Sequence, residues 1–275
     1  MDRKAAVAGV AELLAQGGAL VLSGAGLSTG AGIPDYRDRD GRWKRSQPIR
    51  HGDFLASEAV RRRYWARSCV GWPVVQEAVP TGGHRAIAEL QRRGLLAGIV
   101  TQNVDGLHQK AGCTDVIELH GTIGQVICLS CQRRGSRRAM QLRLLEANPW
   151  LEQVVAQPAP DGDALVEEAV HARLSVPPCP DCGGVLKPDV VFFGDSVPRE
   201  RVGAAMALLA AARFLMVVGS SLMVYSGYRF ALRARELGIP VVAINDGTTR
   251  ADDLLLAKVG GDCGAALHQL LNRVA

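Results

Sequence analysis

Apolar positions along the chain recur in short blocks separated by glycine, and each block carries one of two periods. Residues 5–16 place Val7, Val10, Leu13 and Leu14 at helical spacing, and Gly17-Gly18 stop that helix. Leu20, Val21 and Leu22 then form an apolar run that enters Ser23-Gly24-Ala25-Gly26, with Gly30 and Gly32 following. A run of this kind reads as the first strand of a buried parallel sheet ending where a ligand is held. Gly24 and Gly26 leave the backbone free to approach a phosphate, and a helix starting near Ser28 would aim free N–H groups at it. A tight turn without a ligand has the same local pattern, and the spacing is not GxGxxG.

The alternation continues beyond this stretch. Residues 38–49 are polar, basic and poor in apolar groups, which predicts a mobile loop or lid. Residues 53–68 read as a helix, and Gly71-Trp72-Pro73 is expected to break it. A helix over 84–93 is closed by Gly94, a second strand covers 95–100, and a third covers 116–119, running into His120-Gly121. Later come a helix over 200–211, a strand over 214–218, a helix over 227–237, a strand over 240–244 and a last helix over 264–271. Strand and helix in alternation predict an α/β fold with a doubly wound parallel sheet. Residues 122–190 interrupt this rhythm with helical patches near 139–146 and 163–174 and a proline-rich stretch at 157–161, and so read as a small inserted module. The expected division is residues 1–121 for the first part of the sheet domain, with a helical or lid insertion at about 38–80, then 122–190 for the module and 191–275 for the second part.

Composition narrows the classes. A chain of 275 residues with 48% apolar and 21% charged residues can bury a sizeable core. The net charge of +5, from 32 basic and 27 acidic residues, is too small to argue for nucleic acid and suits anionic small molecules or acidic partners. The start of the chain is basic but builds no apolar core for a secretory signal, and no run of about 18 apolar residues predicts a membrane span. A cytoplasmic protein is expected, without a specific nucleic-acid or membrane partner.

The strongest chemical signal is Cys128-x2-Cys131 with Cys179-x2-Cys182. Two thiolate pairs at this spacing supply four tetrahedral ligands to one Zn2+, and four thiolates leave no position for water, so the metal is expected to be structural. Gly183-Gly184 allow a tight knuckle after the second pair. His120, at a strand end beside Gly121, is the candidate general base, because neutral imidazole takes up a proton near pH 7. Asn103 and Asp105 suit an amide or a sugar hydroxyl, although Asp105 also fits a helix cap. Ser220, Ser221 and Asn245 stand at two further strand ends and suit ribose, or equally caps and turns. Five strand ends finishing in small or polar groups argue for a ligand the size of a dinucleotide.

On the segments GAGLSTGAGIPDYR (24–37), TQNVDGLH (101–108), ELHG (118–121), the two CxxC pairs, LKPDVVFFGD (186–195), VVGSSLMVYSG (217–227) and IND (244–246), the chain resembles the sirtuin family of NAD-dependent protein deacylases. IPDYR, IRHGDFLAS, RYWAR, GWP, VYSGYRF and the long insertion between the cysteine pairs resemble class II, the group of the human mitochondrial member numbered four. The resemblance implies a Rossmann-like NAD domain with a small inserted zinc-binding domain, and an acyl-lysine peptide bound as a strand between them. Gly24, Ala25, Gly26, Ser28 and Thr29 would then line the pyrophosphate and the neighbouring ribose, and Asp35, Tyr36 and Arg37 the loop that closes over the cofactor. Ile33, Asn103 and Asp105 would surround nicotinamide, with Gln102 at its ribose. Gly219, Ser220, Ser221, Asn245, Asp246 and Cys263 would surround the adenosine half. Val191, Phe192, Phe193 and Gly194 on one side, with Met223, Val224 and Tyr225 on the other, would flank the substrate backbone.

The catalytic set implied is His120 with Asn103 and Asp105, in a reaction that moves the acyl group to ADP-ribose and releases nicotinamide. Ala31 replaces the usual serine before the GIP motif, and Asp195 the commoner glutamate after FFG. Tyr64 and Arg67 stand three apart on one helix face and are expected to favour a larger or acidic acyl chain; a merely basic helix is the other reading. ADP-ribosyl transfer or lipoyl removal at the same site, and an NAD-sensing protein without catalysis, are the competing functions. A monomer is expected.

Overall fold

The computed structural model describes residues 2–44 and 48–274, so three residues of the expected lid, 45–47, lie outside the described residues. In chain order the first half runs α1 (Arg3–Ala15), β1 (Ala19–Ser23), α2 (His51–Ala56), α3 (Glu58–Glu77), α4 (Gly82–Arg92), β2 (Leu96–Thr101), α5 (Leu107–Lys110) and β3 (Val116–Glu118). Then follow β4 (Gly121–Cys128), β5 (Arg134–Ser136), α6 (Arg137–Ala147), β6 (Gln157–Ala159), β7 (Asp163–Leu165), α7 (Glu168–Arg173) and β8 (Leu186–Val190). The chain closes with α8 (Arg199–Ala211), β9 (Phe214–Val218), α9 (Tyr225–Glu236), β10 (Val241–Ile244), β11 (Ala257–Val259) and α10 (Cys263–Leu271).

Six strands form one parallel sheet in the order β11-β10-β9-β1-β2-β3. All five residues of β1 are buried, and its side chains alternate between two cores. Ala19 and Val21 pack with α1, α4 and α10 through Val10, Leu14, Ile87 and Leu267. Leu20 and Leu22 face α8 and α9 through Leu209, Phe230 and Ala234. This two-sided burial is why the strand is an unbroken apolar run. The chain leaves β1 toward β2 on one side and returns to β9 on the other, so the switch point of the sheet lies between β1 and β9.

A second sheet, antiparallel in the order β5-β4-β8, builds the small unit that carries the cysteines. Its core joins Val126, Met140, Leu144, Leu151 and Leu186 to Trp65, Ala66 and Cys69 of α3. None of its three strands shows in the apolar pattern of residues 122–190: exposed Gly124 and Gln125 interrupt β4, Pro188 stands in β8, and all three residues of β5 are exposed.

Four local expectations fail for identifiable reasons. The single helix read over 53–68 is divided into α2 and α3 at Ser57, whose backbone is extended (φ −126°, ψ 122°) and whose hydroxyl caps α3 by accepting from Val60 N. Pro73 does not end α3, which continues to Glu77. A proline removes the N–H that would bond the carbonyl four residues back, here that of Cys69; Gln141 Nε2 on α6 donates to that oxygen at 2.9 Å instead. Residues 157–165, read as a proline-rich stretch and the start of a helix, form the β6–β7 hairpin, and helix is confined to α7. No α-helix follows Ser28: two 3-10 turns, Ala25–Leu27 and Thr29–Ala31, occupy that segment, and Gly32 ends them at φ 81°.

Gln141→Leu leaves the Cys69 carbonyl unpaired in the core, an expected loss of about 1–3 kcal/mol. Urea unfolding at unchanged m value measures it, and an unchanged midpoint rejects the bracing of α3 by α6.

Candidate active site

The loops after β1 and β9 meet without side chains between them. Gly26 N donates to Gly219 O at 2.8 Å and Gly24 N to Val218 O at 2.9 Å. A Cβ on Gly26 would lie 2.9 Å from Gly219 O, and one on Gly219, whose φ is 60°, would lie 2.4 Å from Leu27 N. The crevice mouth is therefore bare backbone, the surface that a pyrophosphate requires.

Polar side chains from β1 and β2 converge beside it. Ser28 Oγ donates to Asp105 Oδ2 at 2.7 Å, and Asn103 Nδ2 donates to Ser28 Oγ at 3.0 Å and to Gly24 O at 3.1 Å. Asp105 Oδ1 also accepts from Leu107 N, the first residue of α5, at 2.9 Å, while its other oxygen holds Ser28; Gly106, not Asp105, is the N-cap residue. Beneath them a buried chain of bonds runs from His108 Nε2 to Ser23 Oγ (2.8 Å), from Ser23 to Thr101 Oγ1 (2.8 Å), and from Asn103 N to the same Thr101 oxygen (3.1 Å). Ile33 is buried against Val104, Leu107, Ile123 and Trp72. On the β9 side, Ser220 Oγ accepts from Gln102 Nε2 at 2.8 Å. Asn245 Nδ2 is turned to Gly247 O at 2.9 Å, and burial pushes the Cys263 thiol up to about 12. Asp246 pairs with Arg39 at 2.7 Å, which ties residues 246–248 to the loop after Arg37.

His120 lies where β3 passes into β4. Its Nδ1 is 2.8 Å from Gln102 O and its Nε2 2.8 Å from Ser226 Oγ. A carbonyl oxygen only accepts, so Nδ1 carries the proton, and in the neutral ring Nε2 is left as the basic atom. Burial, with smaller contributions from Arg201 and Arg229, lowers this imidazole to about 4 against the pull of the Gln102 carbonyl, so it is neutral at pH 7. Ser226, the first-turn residue of α9 that meets this nitrogen, escaped the sequence reading because a lone serine in a helix carries no pattern. Val191 N donates to His120 O at 2.7 Å, which joins the start of the 191–194 segment to the histidine.

The loop residues Asp35, Tyr36 and Arg37 are held by their own neighbours. Arg37 donates to Gly41 O at 2.7 Å and stacks 4.0 Å from the Trp43 ring centre, and Asp35 pairs with Lys44. Tyr36, Trp43 and Phe193 form a triangle of edge-to-face rings with centres 5.6–6.0 Å apart. Tyr36 Oη donates to Asp161 of the insertion. Met223 abuts Gly41, while Val224 and Tyr225 are exposed. The structure does not bring Tyr64 and Arg67 to one opening: Tyr64 packs among Phe54, Trp65 and Phe192, whereas the Arg67 guanidinium is occupied by Asp163.

The four cysteine sulfurs lie within 4.8 Å of one another, with Cys128 to Cys182 at 3.5 Å and Cys131 to Cys179 at 3.9 Å. Zinc–sulfur bonds of about 2.3 Å in a tetrahedron separate sulfurs by about 3.8 Å, so the set fits one Zn2+. The Cys131 and Ser130 amides hydrogen-bond to Cys128 Sγ and lower its thiol, the direction that favours the thiolate a metal needs. Gly184 is required here, since a Cβ would lie 2.9 Å from Cys128 Sγ.

A parallel switch-point crevice with a bare glycine mouth, a neutral histidine at its edge and a closed four-cysteine zinc unit defines a dinucleotide-dependent enzyme with a structural metal. The chain belongs to the Sir2 family, whose profile matches residues 24–226. It is 53% identical over 247 residues to an NAD-dependent protein deacetylase of Xanthomonas axonopodis pv. citri, covering 90% of this chain and 84% of that one. It is 51% identical over 252 residues to a protein of the same description from Bordetella bronchiseptica, covering 92% of each. A solved structure of Sir2 with a p53 peptide and NAD+ superposes with a TM-score of 0.78 at 27% identity, over 99% of this chain and 98% of that one.

Two outcomes follow from this geometry. Cys179→Ser opens the zinc shell, so purified variant is expected to hold far less than the roughly one zinc per chain of the parent and to lose cooperative melting; folded protein without zinc contradicts it. Burial also lowers His84 to about 4 and His108 to about 3. With His120 these rings stay neutral in the fold but take up protons in the unfolded chain below about pH 6.5, so their contribution is full above that pH and is lost as pH falls toward 4. Asp161, raised by burial to about 6, opposes the trend together with Asp163 and Glu118, which burial also raises, while His171, lowered by burial, adds to it. The melting temperature should fall between pH 7 and pH 5, and a flat profile would show that the three rings are solvated.

Proposed function

We propose that this chain removes acyl groups from protein lysines with consumption of NAD, and that His120 is the proton acceptor of the reaction. The observation that carries the role of His120 is its tautomer: Nδ1 fixed on the Gln102 carbonyl leaves a basic Nε2 at the crevice edge. NAD, when bound, supplies a glycosidic carbon that the acyl oxygen attacks and the ribose that finally carries the acyl group. The bare mouth at Gly24, Ala25, Gly26 and Gly219 receives the pyrophosphate, with Ser28 and Thr29 beside it. Asn103 and Asp105, held rigid by Ser28, Gly24 O and Leu107 N, orient the nicotinamide amide against Ile33. Gln102 and Ser220 fix the crevice floor, and Ser221, Asn245, Asp246 and Cys263 border the adenosine half. Nε2 of His120 takes a proton from a ribose hydroxyl, and Ser226 shares that nitrogen until the hydroxyl arrives. Residues 191–194 and 223–225 hold the peptide backbone as an added strand, a mode that tolerates many sequences. Positioning a weak amide nucleophile is the main catalytic demand, which suits a site tied to rigid strand ends.

The four-cysteine unit keeps β4 and β8 in place and takes no part in the chemistry. The segments IPDYR, IRHGDFLAS, RYWAR, GWP and VYSGYRF support a finer placement in class II, and the hairpin between the cysteine pairs is consistent with it.

Mass spectrometry of the protein with an acyl-lysine peptide and NAD tests the activity. Free lysine together with acyl-ADP-ribose is the expected result, and a protein that gains ADP-ribose while the peptide stays acylated would mean transfer instead. His120→Ala should retain NAD binding and the melting temperature at pH 7.5 yet lose roughly 10²–10⁴-fold in turnover, the range for a positioned base. Unchanged turnover at saturating substrates would remove His120 from the mechanism.

A further inference from the structure

Where the zinc unit meets the large sheet, a cavity of about 460 Å³ opens beside the edge strand β3. A volume of that size falls within the range of small-ligand sites, roughly 300–1,000 Å³. Glu118 and Gly121, which flank Leu119 and His120 in the chain, both border it. β3 and α8 contribute Glu118 and Arg201 to one side, and the zinc unit contributes Arg134 of β5 and Asp189 of β8 to the other.

The four charges are not equally answered. Arg134 Nε and Asp189 Oδ2 pair at 2.7 Å. Glu118 and Arg201 are each half-buried, and among the described residues neither makes an ion pair; Arg201 Nη1 donates to Leu119 O at 3.3 Å. Burial pushes the Glu118 carboxyl above its ordinary range, against the pull of Gln109 and of the Arg201 charge. A half-buried carboxylate without a cation and a half-buried guanidinium without an anion have each given up solvation that no protein partner replaces.

We propose that this cavity binds a small zwitterion, a free α-amino acid with an apolar side chain, whose ammonium meets Glu118 and whose carboxylate meets Arg201. One positive and one negative group on the ligand match the one unanswered charge of each sign on the wall. A ligand carrying a single charge satisfies one of them and leaves the other as it was. Guanidinium takes a carboxylate through two parallel N–H···O bonds, and Val116, Ile117 and Ala204 supply apolar lining for the side chain. Turning Arg201 to the ligand draws it from the carbonyl of Leu119, the residue before His120, so the cavity is joined to the site through one backbone group. The inference stands on the cavity and its charges and is independent of the reaction at His120.

Calorimetric titration of the full chain at pH 7.5 tests it with three probes that share an aliphatic chain. L-norleucine carries both charges, pentylamine the ammonium alone and hexanoate the carboxylate alone. L-norleucine is expected to bind once per chain, with and without saturating NAD, and each analogue to bind roughly 10–100-fold more weakly, the worth of one charge-assisted hydrogen bond. Arg201→Met should weaken L-norleucine by the same factor and leave pentylamine as it was. Glu118→Gln should weaken L-norleucine and leave hexanoate as it was. This crossed pattern separates loss of a contact from general loosening of the fold, which weakens all three probes. No binding of L-norleucine at millimolar concentration, an analogue that binds as well as L-norleucine, or loss of its binding when NAD is present overturns the proposal. The three-probe comparison on the parent decides the matter if the variants do not fold.

Discussion

The contact between the glycine loops after β1 and β9 is the constraint on which the site depends. Backbone meets backbone there at 2.8 Å, and no Cβ fits on Gly26 or Gly219. The two strand ends are thereby locked at the one place where the sheet's order reverses. The candidate site is hung from that lock by short bonds. Asn103 reaches Gly24 O, Gln102 joins Ser23 O to Ser220 Oγ, and the Gln102 carbonyl fixes His120. Gly227 repeats the logic on α9, since a Cβ there would lie 2.3 Å from Gln102 Oε1. A site assembled this way loses little reorganisation energy when charge develops in it.

The zinc unit is coupled to the sheet through backbone as much as through packing. Gly121, at φ 83°, begins β4 directly after His120, and a Cβ on it would lie 2.1 Å from Asp189 O. β8 ends in Val190, and Val191 N then binds His120 O. The metal cluster thus sets the position of two strands whose ends frame the histidine. α3 is the second coupling. It buries Trp65 in the core of the zinc unit and Trp72 against Ile33 and Val104, and the fully buried Arg137 guanidinium lies between the two indoles at 5.5 and 4.9 Å. Burial lowers Arg137 to about 10, and aromatic faces with Ser68 supply its nearest stabilising partners.

The insertion shows how a local pattern misleads. Prolines at 158 and 160 argue against strand, yet Pro158 stands in β6, where a two-stranded ribbon leaves each strand an open edge, and Pro160 begins the turn between the two strands. The helix signal of residues 163–174 survives only from Glu168 onward. Tyr64 and Arg67 share a helix face, as their spacing dictates, but partners distant in sequence divide them: Phe192 and Phe54 draw one inward, and Asp163 takes the other.

The sequence by itself determined what depends on neighbours along the chain. Short apolar runs named five of the six strands of the large sheet, all but β11, and Cys-x2-Cys pairs named the zinc ligands, since both patterns follow from local backbone geometry and ligand spacing. His120 at a strand end was legible for the same reason. Only the tertiary structure decided its tautomer, because Gln102 O and Ser226 Oγ come from other elements. It also decided that α3 runs through Pro73, where Gln141 on α6 receives the orphaned carbonyl. The state of Arg67 was decided last of all, by an aspartate 96 positions away. Electrostatic partners act through space at a few ångströms, and no local period in a sequence records which charges the fold brings that close.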